Sequence, residues 1–210
     1  MQKVIEADNL TFAYEKDRGN VIDGLSFCVG KNTVTVLTGL SGCGKSTVLG
    51  IIAGAVPKYT GGVLTGEIKV SGTVGYVMQD PDRQIIATTV EDEIAFGPEN
   101  ICMDPADIRE RVDDVMRLLH ISDLAEADPS RLSGGQKQLV CIGSVLAFEP
   151  DIILMDEPLS HLDEEGKTDV NGVIKMLHET GTTVVIAEHD CDEIDYADSY
   201  ISLDRPEAEI

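Results

Sequence analysis

No apolar run in the 210 residues approaches the roughly 20 needed to cross a bilayer, and Met1-Gln2-Lys3-Val4 leads into a mixed segment without a signal-peptide core. A chain of this pattern is expected to be a soluble, cytoplasmic globule. Basic residues are scarce: 16 Lys and Arg stand against 38 Asp and Glu, a formal net charge of −22. A phosphate backbone would be repelled over most of such a surface, which argues against wide-area nucleic-acid binding while leaving room for a local basic patch. The acidic groups cluster at Glu91-Asp92-Glu93, Asp123 to Asp128, Asp163-Glu164-Glu165 and Glu188 to Asp198. They read as solvated faces that keep the protein dissolved; a salt-rich cytoplasm, whose ions screen self-repulsion, is the second reading. Metal-ligand spacing is missing from Cys28, Cys43, Cys102, Cys141 and Cys191, an odd, scattered set that reads as reduced thiols. There is no internal repeat or low-complexity tract. The length and the 42% hydrophobic content suit one domain with a substantial core.

What the chain does contain is a nine-residue segment, Gly39-Leu40-Ser41-Gly42-Cys43-Gly44-Lys45-Ser46-Thr47, that fits the phosphate-binding pattern GxxxxGK[ST]. It follows an apolar strand, Thr33 to Leu37, and opens a helical segment, Ser46 to Ala53, which is the strand, loop, helix context the pattern requires. The glycines let backbone N–H groups converge on phosphate oxygens. Lys45 brings a point charge to the β- and γ-phosphates, and the Ser46 hydroxyl is placed to reach Mg²⁺. An ordinary glycine turn has no need of Lys and Ser after its last glycine. The expected ligand is ATP.

The segments around this loop alternate in kind. Val4 to Tyr14 and Val21 to Val29 read as antiparallel strands joined by a turn over Lys16 to Asn20. After the breaker-rich Pro57 to Gly62, Glu67 to Val70 and Thr73 to Met78 read as two more strands separated by Ser71-Gly72. From Gln79 to about Leu146 the pattern turns helical. Asp104-Pro105 caps one helix, whose Ile108, Val112, Val115, Met116 and Leu119 follow at helical spacing, and Ser133 stands near the start of another. Ile152-Ile153-Leu154-Met155 and Val184-Val185-Ile186-Ala187 are continuous apolar runs, as strands buried on both faces of a parallel sheet should be. The expected architecture is α/β: a mostly parallel sheet core with an antiparallel β subdomain over 1–78 and 147–210, and a helical subdomain inserted at 79–146.

The second apolar pattern places chemistry. A buried strand ending in Asp156-Glu157 delivers two carboxylates to the sheet's carboxyl edge, where open α/β sheets bind ligands. Asp156 is placed to hold Mg²⁺, usually through water, and Glu157 to accept a proton from attacking water. The next apolar strand ends in Glu188-His189, so His189 should emerge at the same edge and donate to a γ-phosphate oxygen. Gln79, at the junction with the helical insertion, is placed to sense both the metal and the insertion's movement.

With these residues in view, the chain resembles an ATP-binding cassette ATPase over nearly its whole length, and Leu132-Ser133-Gly134-Gly135-Gln136 matches the family's signature residue for residue. The resemblance implies that Ser133, Gly134, Gly135 and Gln136 address the nucleotide of a second cassette, homologous or identical, through a helix N-terminus. It also implies that Ser160 to Asp163 forms a dimer-interface loop and that Tyr14 stacks on adenine, the alternative for Tyr14 being a core aromatic. Leu40 stands where the family often has proline. His161 stands where it more often has a small residue or Asn, which makes the interface a candidate for pH sensitivity or for a non-identical partner. Gln79-Asp80-Pro81-Asp82-Arg83-Gln84 and Thr89 to Asn100 further resemble the ATPase subunits of energy-coupling factor transporters and their cobalt and nickel relatives. That resemblance implies a transmembrane scaffold and a substrate-binding membrane component as partners, import of a vitamin or transition-metal ion, and a peripheral place at the cytoplasmic face of the membrane. The competing expectations are an ATPase of another cassette transporter type, a cassette ATPase of translation or DNA metabolism, and an inactive binding module. The strand Ser199 to Leu203 comes close to the chain's end, as in a compact member or a cassette cut from a longer fusion.

Overall fold

The computed structural model describes residues 2–15, 19–189 and 194–203; Cys191 and part of the last acidic cluster lie outside them. Two sheets carry the fold. Strands β1 (Lys3–Ala13), β2 (Ile22–Gly30) and β4 (Val63–Val70) form an antiparallel sheet in the order β2-β1-β4. Strands β3 (Val34–Thr38), β5 (Val74–Val77), β6 (Ile152–Asp156), β7 (Thr183–Ala187) and β8 (Ser199–Ser202) form a parallel sheet in the order β5-β6-β7-β3-β8. All four of its neighbouring pairs run parallel.

The apolar runs behave as sheet physics demands. All five residues of β6 and of β7 are buried, and successive side chains enter different hydrophobic clusters. Ile153, Met155, Val184 and Ile186 pack with the helical part of the chain, whereas Ile152, Leu154, Val185 and Ala187 pack with helix α1 (Lys45–Ile52) and with β1. A period of two across a sheet covered on both faces requires this alternation.

The Glu67–Val70 and Thr73–Met78 strands are both present, but they belong to different sheets although only residues 71–73 separate them. The first begins earlier than its alternation suggests, at Val63, because β1 offers a ladder partner as far as Ala13. That pairing includes a register shift between Asp8 and Thr11, where Asn9 has a φ of 50°. Gly66 lies across this irregularity at a φ of 88°, and a Cβ there would fall 2.4 Å from the Asn9 carbonyl oxygen. Gly66→Ala is therefore expected to cost about 2–4 kcal/mol, from left-handed strain and backbone overlap together. Urea unfolding reads it as a lower midpoint; a midpoint equal to the native one would show that the sheet absorbs the methyl freely.

Between β5 and β6 run helices α2 (Pro81–Gln84), α3 (Val90–Asn100), α4 (Pro105–Leu118) and α5 (Gly134–Leu146), followed after β6 by α6 (Glu164–Glu179). Their starts are chemically marked. Asp80, Thr89, Asp104, Ser133 and Asp163 each accept a backbone N–H of the first turn, satisfying donors that have no partner inside the helix. Among the described residues no helix is long and apolar enough to cross a membrane.

Candidate functional site

The loop between β3 and α1 turns through Gly39, Gly42 and Gly44, all at positive φ, and delivers Lys45 into the helix's first turn. Lys45 is 4% exposed. Its ammonium donates to the Gly39 carbonyl at 2.9 Å and lies 3.6 Å from Glu157 Oε1, so the charge is compensated by groups of the loop itself and of the sheet edge. Beside it, Ser46 Oγ donates to Asp156 Oδ1 at 3.0 Å. The second Asp156 oxygen accepts from Tyr76 OH at 3.1 Å. Burial raises the Asp156 carboxyl above the ordinary Asp range, and the two hydroxyls work against that shift by stabilising the ionised form. Burial, reinforced by the Asp156 charge, pushes the Tyr76 phenol well above its ordinary value, so the hydroxyl keeps its proton.

Glu157 follows β6 at a φ of 46°, an uncommon backbone state for a residue with a side chain, while its N–H donates to Ala187 O at 2.9 Å. The turn brings its carboxylate among groups from three separate parts of the chain. Gln79 Nε2 donates to Oε2 at 2.7 Å, and His189 Nε2 and Lys45 Nζ face Oε1 at 3.4 and 3.6 Å. Three of the four residues expected to be catalytic, Lys45, Gln79 and His189, thus converge on the carboxylate of the fourth. The contact between Gln79 and Glu157 was not legible in the sequence, which placed Gln79 beside metal and insertion alone.

Tyr14 is 47% exposed, which sets aside the core-aromatic alternative. Its hydroxyl shares a 3.1 Å hydrogen bond with Thr47 Oγ1, and its ring meets Phe12 edge-on. A half-exposed ring held beside α1 is suited to stacking on a base. A cavity of about 960 Å³ touches the outer side of the phosphate loop at Ser41 to Cys43, with Val21 to Ser26 opposite. The neighbouring cluster of Lys45, Asp156 and Glu157 does not line that cavity.

The signature segment is held elsewhere. Ser133 Oγ accepts from Gln136 N and Gln136 Oε1 accepts from Ser133 N, a reciprocal cap at the start of α5. Gln136 is thereby engaged within its own helix. At Gly135, a Cβ would stand 2.7 Å from Gly166 Cα, so α5 and α6 cross with their backbones nearly touching. Ser160 Oγ donates to Glu157 O at 2.8 Å, and His161, at a φ of 63°, follows in the tight loop that ends at the α6 cap. One link was invisible in the sequence: Lys137 Nζ lies 2.6 Å from Asp82 Oδ1, tying the first turn of α5 to α2 across a cavity of about 530 Å³. With Asp82 70% exposed, the pair adds at most about 1 kcal/mol to stability and serves chiefly as a tether. A second buried carboxylate, Glu93, accepts from the N–H groups of Ile86 and Ala87, both at 2.8 Å, and fixes the chain just beyond α2.

A fit of this arrangement to known proteins is extensive. The profile of the family described as ABC transporter matches residues 22–160. The energy-coupling factor transporter ATP-binding protein EcfA of Carboxydothermus hydrogenoformans is 37% identical over 97% of this chain and 78% of its own length. Among solved structures, cbiO1 from Clostridium perfringens, part of the ABC transporter complex cbiONQ, superposes with a TM-score of 0.85 at 27% identity, covering 96% of this chain and 85% of that one. The first curated relatives are longer. Proteins of Streptomyces coelicolor and Methanosarcina mazei, provisionally named ABC transporter ATP-binding proteins, are 43% and 37% identical over 78% and 96% of this chain, which spans about a third of their lengths, 32% and 37%.

Proposed function

The chain belongs to the ABC transporter family of ATP-binding ATPases, and from that premise we propose that it binds and hydrolyses Mg·ATP to energise an energy-coupling factor type importer. The observation that carries the enzymatic part is the convergence of Lys45, Gln79 and His189 on Glu157, directly beside the Ser46 and Asp156 pair. The phosphate loop cradles the β- and γ-phosphates through its N–H groups and Lys45. Glu157 takes a proton from the attacking water, and His189 donates toward the γ-phosphate.

Ser46 and Asp156 supply two adjacent oxygen ligands, the number Mg²⁺ commonly takes from protein when phosphates and water complete its shell. When bound there, Mg²⁺ would neutralise charge developing between the β- and γ-phosphates. The N-terminus of α5 in a second cassette, with Ser133, Gly134 and Gly135, completes the γ-phosphate site. The homodimer or heterodimer is therefore the hydrolytic unit. Substrate choice lies in the membrane partners, a scaffold and a small binding component for a vitamin or metal ion. Similarity to EcfA over 97% of this chain supports this assignment, as does the α2 segment with its tether to the signature helix.

The test begins with kinetics. Hydrolysis per subunit should rise with protein concentration or on addition of the partner cassette, and a rate independent of both would overturn the composite site. Purification from native membranes then tests the transport role. Recovery with a membrane scaffold and a small membrane protein is expected; recovery with ribosomes or DNA alone would replace transport by a role in translation or DNA metabolism.

A further inference from the structure

Asp156 ends β6 at 5% exposure with each carboxylate oxygen held by a different hydroxyl of the chain. Ser46 reaches Oδ1 from the first turn of α1, and Tyr76 reaches Oδ2 from the neighbouring strand β5. In the parallel ladder Tyr76 is paired with Leu154, two residues before Asp156, so its ring leans forward along the sheet to bring the hydroxyl to the carboxylate. The ring itself packs against the hydrophobic cluster that includes Val48, Leu49 and Ile52 of α1. A purely apolar side chain would serve that packing equally well. The hydroxyl is the part that packing does not explain.

We propose that Tyr76 is a positioning residue for the metal-holding carboxylate: its hydroxyl fixes the Oδ2 edge of Asp156 so that Oδ1 and the Ser46 hydroxyl form one preset seat for a divalent cation. The inference rests on the reading of Ser46 and Asp156 as the Mg²⁺-holding pair. An Asp carboxylate turns about a terminal torsion that is broad and only weakly confined by its own rotamer. A donor on the far oxygen confines it, and partners of that kind around metal ligands commonly set affinity by an order of magnitude or more. Tyrosine is suited to the task because only two torsions separate its hydroxyl from a backbone locked in the sheet. Tyr14 braces the next position in a parallel way, through Thr47, so consecutive residues of α1's first turn are each tied to a tyrosine, Ser46 by way of Asp156.

Tyr76→Phe in the full chain removes the hydroxyl and keeps the ring. ADP affinity is measured calorimetrically in EDTA, and Mn²⁺ affinity of the ADP-saturated protein is measured by the loss of the free-ion electron paramagnetic resonance signal. The expected result is ADP affinity in EDTA within about twofold of native, together with Mn²⁺ binding weakened about tenfold. Tyr76→Met, which fills much of the space without a hydroxyl, should shift Mn²⁺ binding in the same direction and provides the comparison should the Phe variant not fold. Unchanged Mn²⁺ affinity would overturn the positioning role and leave the nucleotide site standing. Equal losses of ADP affinity with and without metal would make Tyr76 a packing residue, which also overturns it. A native ADP complex that holds Mn²⁺ no better than free ADP does would instead remove the metal assignment of Asp156 and Ser46, and this inference with it.

Discussion

Glu157→Gln should lower steady-state hydrolysis about 10²- to 10⁴-fold, the usual worth of a positioned general base, while ATP stays bound and holds two chains together. The geometry explains why affinity should survive. Oε1 of Glu157 faces two donors, Lys45 Nζ and His189 Nε2, so the substituted amide will turn its oxygen that way. Its NH₂ then points at Gln79, whose own amide can rotate to accept. Shape and hydrogen bonding are kept; only the capacity to take a proton is removed. Phosphate release gives the rate, and light scattering with ATP gives the assembly. A variant that stays monomeric under conditions where the native chain dimerises would take the base role away from Glu157, as would a rate within about threefold of native.

Lys45→Ala should weaken ATP binding by about 2–4 kcal/mol, roughly 30- to 800-fold, because the bound phosphates lose a charge partner that is already desolvated. Lys45 is 4% exposed and held at the Gly39 carbonyl, so its placement is settled before nucleotide arrives. Equilibrium binding of a fluorescent ATP analogue measures the loss. Ser133→Arg is the informative contrast. It removes the cap on Gln136 N, at a cost of about 1 kcal/mol to stability, and puts bulk where the opposed nucleotide must sit. Binding by the single chain should be nearly native and the closed dimer should not form. If Ser133→Arg abolished monomer binding as fully as Lys45→Ala, the signature would belong to the nucleotide of its own chain.

Much of this site could be read before any coordinates because its chemistry is written in short spacings. The phosphate loop needs glycines at fixed intervals followed by Lys and Ser, and a strand buried on both faces must be apolar throughout, so Gly39 to Thr47 and Ile152 to Glu157 announce themselves. His189 followed from the same strand logic. The ends of elements were legible to within a few residues where a cap marks them, as at Asp104 and Ser133. Other features had no local signal. Residues 71–73 look like a hairpin turn, yet the two strands they join pair with partners far away in the chain: β4 with β1, and β5 with β6. Tyr76 looks like an ordinary strand aromatic, and Lys137 like an exposed helix charge. Their partners, Asp156 and Asp82, lie 80 and 55 residues away in the chain.

The division has a physical cause. Phosphate binding, buried strands and helix starts depend on neighbours within a few positions, where backbone geometry is set by the residues themselves, so residue type and spacing were enough to single out Lys45, Ser46, Asp156 and Glu157 as candidates for the family's chemistry. The state of that chemistry depends on distances across the sheet. Parallel order β5-β6-β7-β3 brings Gln79, Glu157 and His189, which follow three of these strands, and Lys45, at the start of the helix after the fourth, to one edge, and no local pattern encodes which strand lies beside which. That order is chosen by how the two hydrophobic clusters close on either face of the sheet, a property of the whole packed chain. It makes Gln79 the partner of Glu157, Tyr76 the partner of Asp156, and Asp82 the tether of the signature helix.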